Sequence, residues 1–497
     1  MEPLMIIFSL IASSLVFITA CWALVKTKSS KNLPPGPPKL PILGNLHQLS
    51  GPGPHRVFKA LARKYGPIMY LQLGQVPTVV ISSARVAKEV LKTHDTIFAD
   101  RPASETSDLF FYKSQNIAWA PYGNYWRQMR KISSLELLSA QRVRSSGFIR
   151  DEELTHMRKS LESLAGRPTV LRELLTKYVN DVISRSTVGD ANKDQPRLVE
   201  LLFDIMKAVI QFNATSFYPS MGFINVITGK KAKWLKTQKE FDNMLEDILM
   251  QHRNNKPNGS HVQEDLVDVL LRIQETADLD LPITNDNVKA VLLDMLVAGT
   301  SASSVAIEWA MTELMRQPDI MKKAQAELRA TLKGDTITDS EIQNMHYLKN
   351  IVKETLRLHG PPFLMPRVSR KDCTIEGYDI PAKTRVIVNA LACSTDPDSW
   401  EDPESFNPDR FEESNINYMG SDFEFIPFGA GRRVCPGITF GVGIIENALA
   451  TMLYHFDWKL PNGMEPHELD LTEATELSIL PKYPIQVVPI NLSSSAS

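Results

Sequence analysis

The chain has 497 residues, 43% of them hydrophobic, with 55 basic residues set against 57 acidic ones. That near balance gives no basic field for nucleic acid and no polybasic membrane switch, so any charged partner must meet a local patch. Four cysteines, Cys21, Cys373, Cys393 and Cys435, with no C-x-x-C pair among them, fit a reducing compartment and argue against a disulfide framework, a zinc site or a cysteine-ligated iron–sulfur cluster.

Leu4 to Val25 carries no charged residue, and roughly 20 such residues cross a bilayer as a helix. A cleaved signal peptide would be shorter in its apolar part and positively charged ahead of it, whereas only Glu2 precedes this run. Residues 4–25 are therefore expected to form a single-pass anchor. Lys26, Lys28 and Lys31 follow at once, which by the positive-inside bias leaves residues 1–3 lumenal and everything downstream cytosolic. The sequons at Asn213, Asn258 and Asn491 then stay unmodified. Leu33-Pro-Pro-Gly-Pro-Pro38 is stiff and poor in donors, so residues 26–53 read as a basic, proline-rich hinge ahead of a globule spanning 54–497.

Within the globule, Val57, Phe58 and Leu61 recur at helical spacing over Pro54–Tyr65, and the alternating segments 68–73 and 78–81 flank Gly74-Gln-Val-Pro77. These predict a helix and then a small antiparallel pair. Residues 103–121 are irregular and carry Phe110, Phe111 and Trp119; apolar residues on a loop are either its tether to the core or one wall of a pocket. In Tyr125-Trp-Arg-Gln-Met-Arg-Lys131 a helix puts Trp126 and Arg130 on one face. An indole N–H beside a guanidinium can clamp a carboxylate, although an arginine stacked on a surface tryptophan explains the same spacing.

Residues 201–250 are apolar helical segments interrupted at Phe217-Tyr-Pro-Ser-Met-Gly222. Thr284 then caps a helix that runs to about Gln317 and stops at Pro318, roughly 50 Å long. Its first half, 288–298, is apolar nearly all round, as a helix through the protein centre must be. The next stretch, Ala298-Gly-Thr-Ser-Ala-Ser-Ser304, places small residues and the hydroxyls of Thr300, Ser301 and Ser303 in mid-helix, where they loosen the hydrogen-bond ladder.

In the last third, Glu354 and Arg357 stand three apart on a helix, a pair that contributes little where exposed. Residues 361–367, with Phe363, Leu364 and Met365, form an extended apolar strip ending in Arg367. Glu376–Pro381 reads as a turn leading into a strand at 385–389, while His359 and Cys393 read as structural. Leu477-Ser-Ile-Leu480, which includes Ile479, is a late apolar stretch suited to a pocket wall. Between these lies Phe428-Gly-Ala-Gly-Arg-Arg-Val-Cys-Pro-Gly437. Most buried cysteines are inert hydrophobes, but here glycines permit close approaches, Pro436 removes a donor, and Arg432 and Arg433 add positive charge near Cys435. A helix beginning at Gly437 adds its dipole. An axial thiolate on haem iron favours O–O cleavage, and arginines can pair with haem propionates, so a single-cysteine haem loop is the sharp reading.

Phe428, Gly431, Arg433, Cys435 and Gly437 match all five fixed positions of Phe-x-x-Gly-x-Arg-x-Cys-x-Gly, and the chain resembles the cytochrome P450 family, its plant A-type subgroup above all. The resemblance extends over nearly the whole chain and implies a mainly helical fold with a smaller β portion around a central haem b. It implies an axial thiolate from Cys435, propionate contacts from Trp126, Arg130, Arg367 and Arg433, and a structural brace of Glu354, Arg357 and Arg410. It further implies a mobile lid near residues 201–250 that touches the membrane, and a substrate chamber bounded by Phe110, Phe111, Ala298, Phe363, Leu364, Met365 and Ile479. The implied reaction is oxidation of a hydrophobic terpenoid or indole alkaloid by dioxygen at the endoplasmic reticulum, with electrons from NADPH through a reductase docked on the Cys435 face and cytochrome b5 as a further partner.

One departure stands out. The family pattern Ala/Gly-Gly-x-Asp/Glu-Thr-Thr/Ser places an acid and an alcohol where this chain has Ser301 and Ala302. A methyl group neither relays a proton nor anchors a water. Ser301 or Ser303 with ordered water substitutes, the substrate brings its own polar group, or the reaction is a cyclisation, desaturation or coupling. Two rivals from other classes are a haem-thiolate isomerase or dehydratase that works without dioxygen and reductase, and a haem-containing binding or sensing protein, for which no effector domain is visible.

Overall fold

One helix passes through the middle of the molecule and the rest is laid against it. The computed structural model describes residues 31–492 apart from 52, 190–194, 211–213, 256–263, 277–278, 335–336, 361–362 and 476–478. The expected span at 4–25, Cys21 and Leu477 lie outside the described residues, as do the sequons at Asn213 and Asn258. The longer helices are α1 (Pro54–Tyr65), α2 (Asn124–Ile132), α3 (Gly147–Ser163), α4 (Leu171–Val188), α5 (Gln195–Ile210), α6 (Lys230–Asn254), α7 (Leu266–Thr276), α8 (Asn285–Arg316), α9 (Pro318–Thr331), α10 (His346–His359) and α11 (Ile438–His455). The strands are β1 (Ile68–Leu73), β2 (Val76–Ile81), β3 (Thr169–Val170), β4 (Leu364–Val368), β5 (Cys373–Ile375), β6 (Tyr378–Ile380), β7 (Arg385–Asn389), β8 (Phe456–Lys459), β9 (Glu473–Thr475), β10 (Ile479–Pro481) and β11 (Gln486–Asn491).

Helix α8 starts where the sequence predicts. Thr284 Oγ1 accepts from the Asn287 N–H at 3.3 Å, and Asn287 Oδ1 accepts from the Thr284 N–H at 2.9 Å, a reciprocal cap that satisfies two orphan donors. Pro318 ends it, Gln317 being already extended. Its two closest neighbours are α4 and α11. At Gly299 the side chain of Ile183 on α4 packs directly against the α8 backbone: a Cβ there would lie 2.4 Å from Ile183 Cδ1. The small residue is thus a packing requirement as well as a gap in the helix surface.

The main sheet has the order β1-β2-β7-β4, with β2 and β7 parallel and the other pairs antiparallel. The turn between β1 and β2 is shorter than expected: Leu73 faces Val76, so Gly74-Gln75 alone closes it, and Gly74 takes φ 59°. Pro77 is tolerated inside β2 because the ladder to β7 begins only at Thr78. Likewise Glu376 and Gly377, both at positive φ, close a β5–β6 hairpin where only a turn was expected. A smaller sheet, β3-β11-β8, and the pair β9-β10 complete the β portion. Apolar side chains collect into one core among the helices and a second under the main sheet, and the candidate site lies where the two meet.

Candidate active site

The segment Phe428–Gly437 folds back on itself, the Cys435 N–H donating to the Phe428 carbonyl at 2.9 Å. Gly431, at φ 69°, lies against the chain: a Cβ would sit 2.0 Å from the Leu91 carbonyl oxygen. Gly437 has an ordinary φ of −93°, so no backbone strain requires glycine there. A Cβ on it would meet nothing nearer than Cys435 Sγ at 3.9 Å; it would stand in open space beside the sulfur. That space is a cavity of about 1280 Å³, with Cys435 in its floor and α8 in its opposite wall.

The charges around the sulfur differ from the sequence reading. Arg432 turns outward and pairs with Asp95 (Nε to Oδ2, 3.3 Å), while Arg433 reaches away to backbone carbonyls. The cation acting on Cys435 is Arg130, brought in from the distant helix α2. Burial pushes the Cys435 thiol up, and the Gly437 N–H and Arg130 only partly oppose it. The polypeptide alone therefore favours the thiol, and deprotonation needs the larger positive charge of a bound metal.

Four arginines frame one side of the cavity: Arg101, Arg130, Arg367 and Arg433. Arg433 donates to the carbonyls of Ala99 (2.7 Å), Ile117 (2.9 Å) and Ala120, while Arg101 and Arg367 both donate to the Pro366 carbonyl at 2.8 and 3.0 Å. Among the described residues, no carboxylate forms an ion pair with any of the four. Burial and mutual repulsion lower Arg433 to about 9 and Arg367 to about 10. Such a cluster is costly unless anions join it, and its donors suit the two carboxylates of a haem. The donor set, the sulfur and the space beside Gly437 thus fit that group. Arg101 escaped the sequence analysis, where an isolated Asp-Arg-Pro after Ile97-Phe98-Ala99 carried no periodicity to flag it. Trp126 lines the same wall, but its Nε1–H is spent on the Ile117 carbonyl at 3.0 Å, and the guanidinium over its ring, 4.4 Å from the centroid, belongs to Arg433 instead of Arg130.

On the opposite wall, Ala298, Ser301, Ala302 and Ser303 of α8 face the cavity. Thr300 does not: it is buried on another side of the helix and its hydroxyl bonds back to the Leu296 carbonyl. Leu364 and Met365 line the chamber as expected, whereas Phe363, just ahead of β4, is buried in the second core and packs on His55. Phe110 and Phe111 are likewise core residues; Phe111 stacks on Trp119 at 5.0 Å, and it is Trp119, with Ile117 and Ala118, that faces the chamber. Ile479 is buried away from it, its carbonyl accepting from Trp309 Nε1 at 2.7 Å. Phe428 lines the floor. The wall at 116–118 is tied to α8 by Asp294, which accepts from Asn116 Nδ2 and the Ile117 N–H, both at 2.6 Å, and from the Ala118 N–H at 3.3 Å. A lone aspartate in an apolar helix was the signal that sequence reading passed over.

A family model described as cytochrome P450 matches residues 34–489. The chain belongs to the cytochrome P450 family. Costunolide synthase of Cichorium intybus is 61% identical over 491 residues, covering 99% of each chain, and germacrene A acid 8-beta-hydroxylase of Inula hupehensis is 57% identical over 495 residues, again 99% of each; these place it in the plant A-type branch. A zebrafish cytochrome P450 structure with abiraterone superposes with a TM-score of 0.75 at 25% identity, covering 89% of this chain and 99% of that one.

As a cytochrome P450 monooxygenase, the protein carries haem on a cysteine thiolate and draws electrons from NADPH through a reductase; the haem supplies dioxygen activation. In the expected brace Glu354 and Arg357 are fully buried and Arg410 partly so: Arg357 Nε and Nη2 pair with the two Glu354 oxygens at 2.6 and 2.8 Å, and Arg410 Nε reaches Glu354 at 3.0 Å. Arg357 also donates to the carbonyls of Ser394, Pro403 and Ser405. It therefore fastens α10 to the segment leading toward the cysteine loop, where a solvated pair would do little.

Proposed function

We infer that this monooxygenase oxidises a terpenoid, specifically a germacrene-type acid of the kind named in its relative germacrene A acid 8-beta-hydroxylase. The observation that carries the reading is the apolar chamber facing Cys435 across the cavity, walled by Trp119, Ile117, Ala298, Leu364 and Met365. Such walls bury a terpene skeleton and leave orientation to a few polar groups. In this reading Cys435 supplies the axial thiolate; Arg101, Arg130, Arg367 and Arg433 hold the propionates. Of the two substrate classes expected from sequence, the relatives favour the terpenoid over the indole alkaloid.

The catalytic domain sits at the endoplasmic reticulum surface behind an anchor at 4–25. Support comes from an apolar patch in which Ile42, Phe223, Val226 and Ile227 are exposed, its two segments joined where Tyr218 Oη donates to the Ile42 carbonyl at 3.2 Å. The helix among the described residues that is long and apolar enough to cross a bilayer is α8, which is the core helix and not this anchor. A reductase, with cytochrome b5 as a second donor, docks on the Cys435 face.

Microsomes containing the protein and a reductase test the reading: incubated with germacrene-type acids, they should yield a product carrying one more oxygen or two fewer hydrogens, only when NADPH is present. Turnover without NADPH would instead establish the isomerase or dehydratase reading, which the loss of the acid and alcohol at Ser301 and Ala302 favours.

A further inference from the structure

The cavity does not end at the chamber. Its lining passes from α8 onto an arm walled by residues of α4, α6 and α7, among them the exposed Arg272 and Glu275. Met295, Gly299 and Ser303 line it and share one face of α8 at a spacing of four. The wall also contains Ser186, a buried residue whose hydroxyl finds no hydrogen-bond partner among the described residues. At the outer end the wall becomes charged: His252 Nε2 lies 2.8 Å from Asp265 Oδ2, and Arg272 pairs with Glu264 at 2.8 Å. At the inner end Ser303 borders the space over Gly441, where a Cβ would lie 3.7 Å from its hydroxyl oxygen. An apolar cavity stays dry, but one with hydroxyls along its length and ions at its mouth holds water.

We propose that this arm is a water-filled proton route ending at the Ser303 hydroxyl, which takes the place of the acid and alcohol missing at Ser301 and Ala302. The proposal rests on the monooxygenase reading of the site. Each productive turnover combines substrate, dioxygen, two electrons from NADPH through the reductase and two protons; one oxygen atom enters the product and the other leaves as water. The arm supplies those protons from solvent, and Ser303 passes them on from the helix face next to Ala302. When delivery through Ser303 fails, dioxygen leaves with the two electrons and two protons from solvent as hydrogen peroxide, and the substrate stays unoxidised.

Two measurements on the full-length, haem-loaded protein decide it. In Ser186→Cys, a small water-soluble methanethiosulfonate should modify the new thiol at least tenfold faster than it does in Ala306→Cys, whose position on α8 is buried outside the cavity wall. Equally slow modification at both positions would overturn the arm, whatever the enzyme's substrate proves to be. With substrate, reductase and NADPH, Ser303→Ala should release several times more peroxide per NADPH consumed, Ser303→Thr should restore the wild-type ratio, and the spectral dissociation constant for substrate should not move. Wild type should stay coupled on a methyl ester of the acid. If coupling collapses on the ester while Ser303→Ala is silent, the substrate carboxyl delivers the proton and the proposal is wrong. Absence of product from every terpenoid, with the labelling contrast intact, would sink the substrate assignment and leave the arm standing.

Discussion

At the scale of single residues, the site is governed by what burial does to charge. Arg101 faces a cavity with Arg367 beside it and no described carboxylate in ion-pairing range, so it adds repulsion until an anion arrives. Arg101→Leu should therefore leave the fold intact and speed haem loss about tenfold, read as transfer of haem to an apomyoglobin acceptor; an unchanged rate would remove Arg101 from the propionate set. Asp294 is the converse case. Burial raises its carboxyl to about 7 despite the three donors aimed at it, while the unfolded chain titrates near ~4. Between those values the folded protein keeps a proton that the unfolded one has lost, so this contribution to stability is full below ~4, falls as pH rises to about 7, and is flat beyond. The difference in denaturation midpoint between wild type and Asp294→Asn should follow that slope, and a difference independent of pH would contradict it. Residues of this kind are poorly legible in sequence, because an isolated Arg101 or Asp294 has neither period nor motif.

At the scale of elements, local rules were reliable wherever the signal is chemical punctuation. Thr284 and Pro318 bound α8, helix α1 spans Pro54–Tyr65, and β7 spans Arg385–Asn389, all as the sequence predicts. What failed was facing. Phe363, Phe110, Phe111 and Ile479 are apolar and near the chamber in sequence, yet each points into a core, since apolarity alone does not distinguish a wall from the packing behind it. The pair Glu354 and Arg357 shows the same limit in reverse, looking like surface charge and proving fully buried. Glu354→Gln leaves Arg357 and Arg410 without their carboxylate, and breaking a buried pair costs about 3–5 kcal/mol. The variant should lose most of its haem incorporation on expression and melt well below wild type; wild-type haem content and melting would show the brace to be dispensable.

At the scale of the molecule, the haem site is a cavity between two cores, lined by buried cations. Binding a group that only the folded state can hold adds RT ln(1 + [L]/Kd) to stability, and here it also relieves repulsion among four arginines. Haem-free protein, made by withholding the haem precursor during expression, should melt at least ten degrees below the loaded form and regain that difference on adding haemin; coincident melts would mean the cavity is not built around the group. The sequence by itself determined the family, the cysteine, the helix that carries the chamber wall and the departure at Ser301 and Ala302, because each is written in contiguous residues whose chemistry is local. Only the tertiary structure decided that Arg101 joins the arginine set, that Thr300 turns away while Ser303 faces the cavity, and that the cavity lining passes from α8 onto α4, α6 and α7. Those depend on which helix lies against which, and a side chain's surroundings come from chain segments a hundred or more residues away.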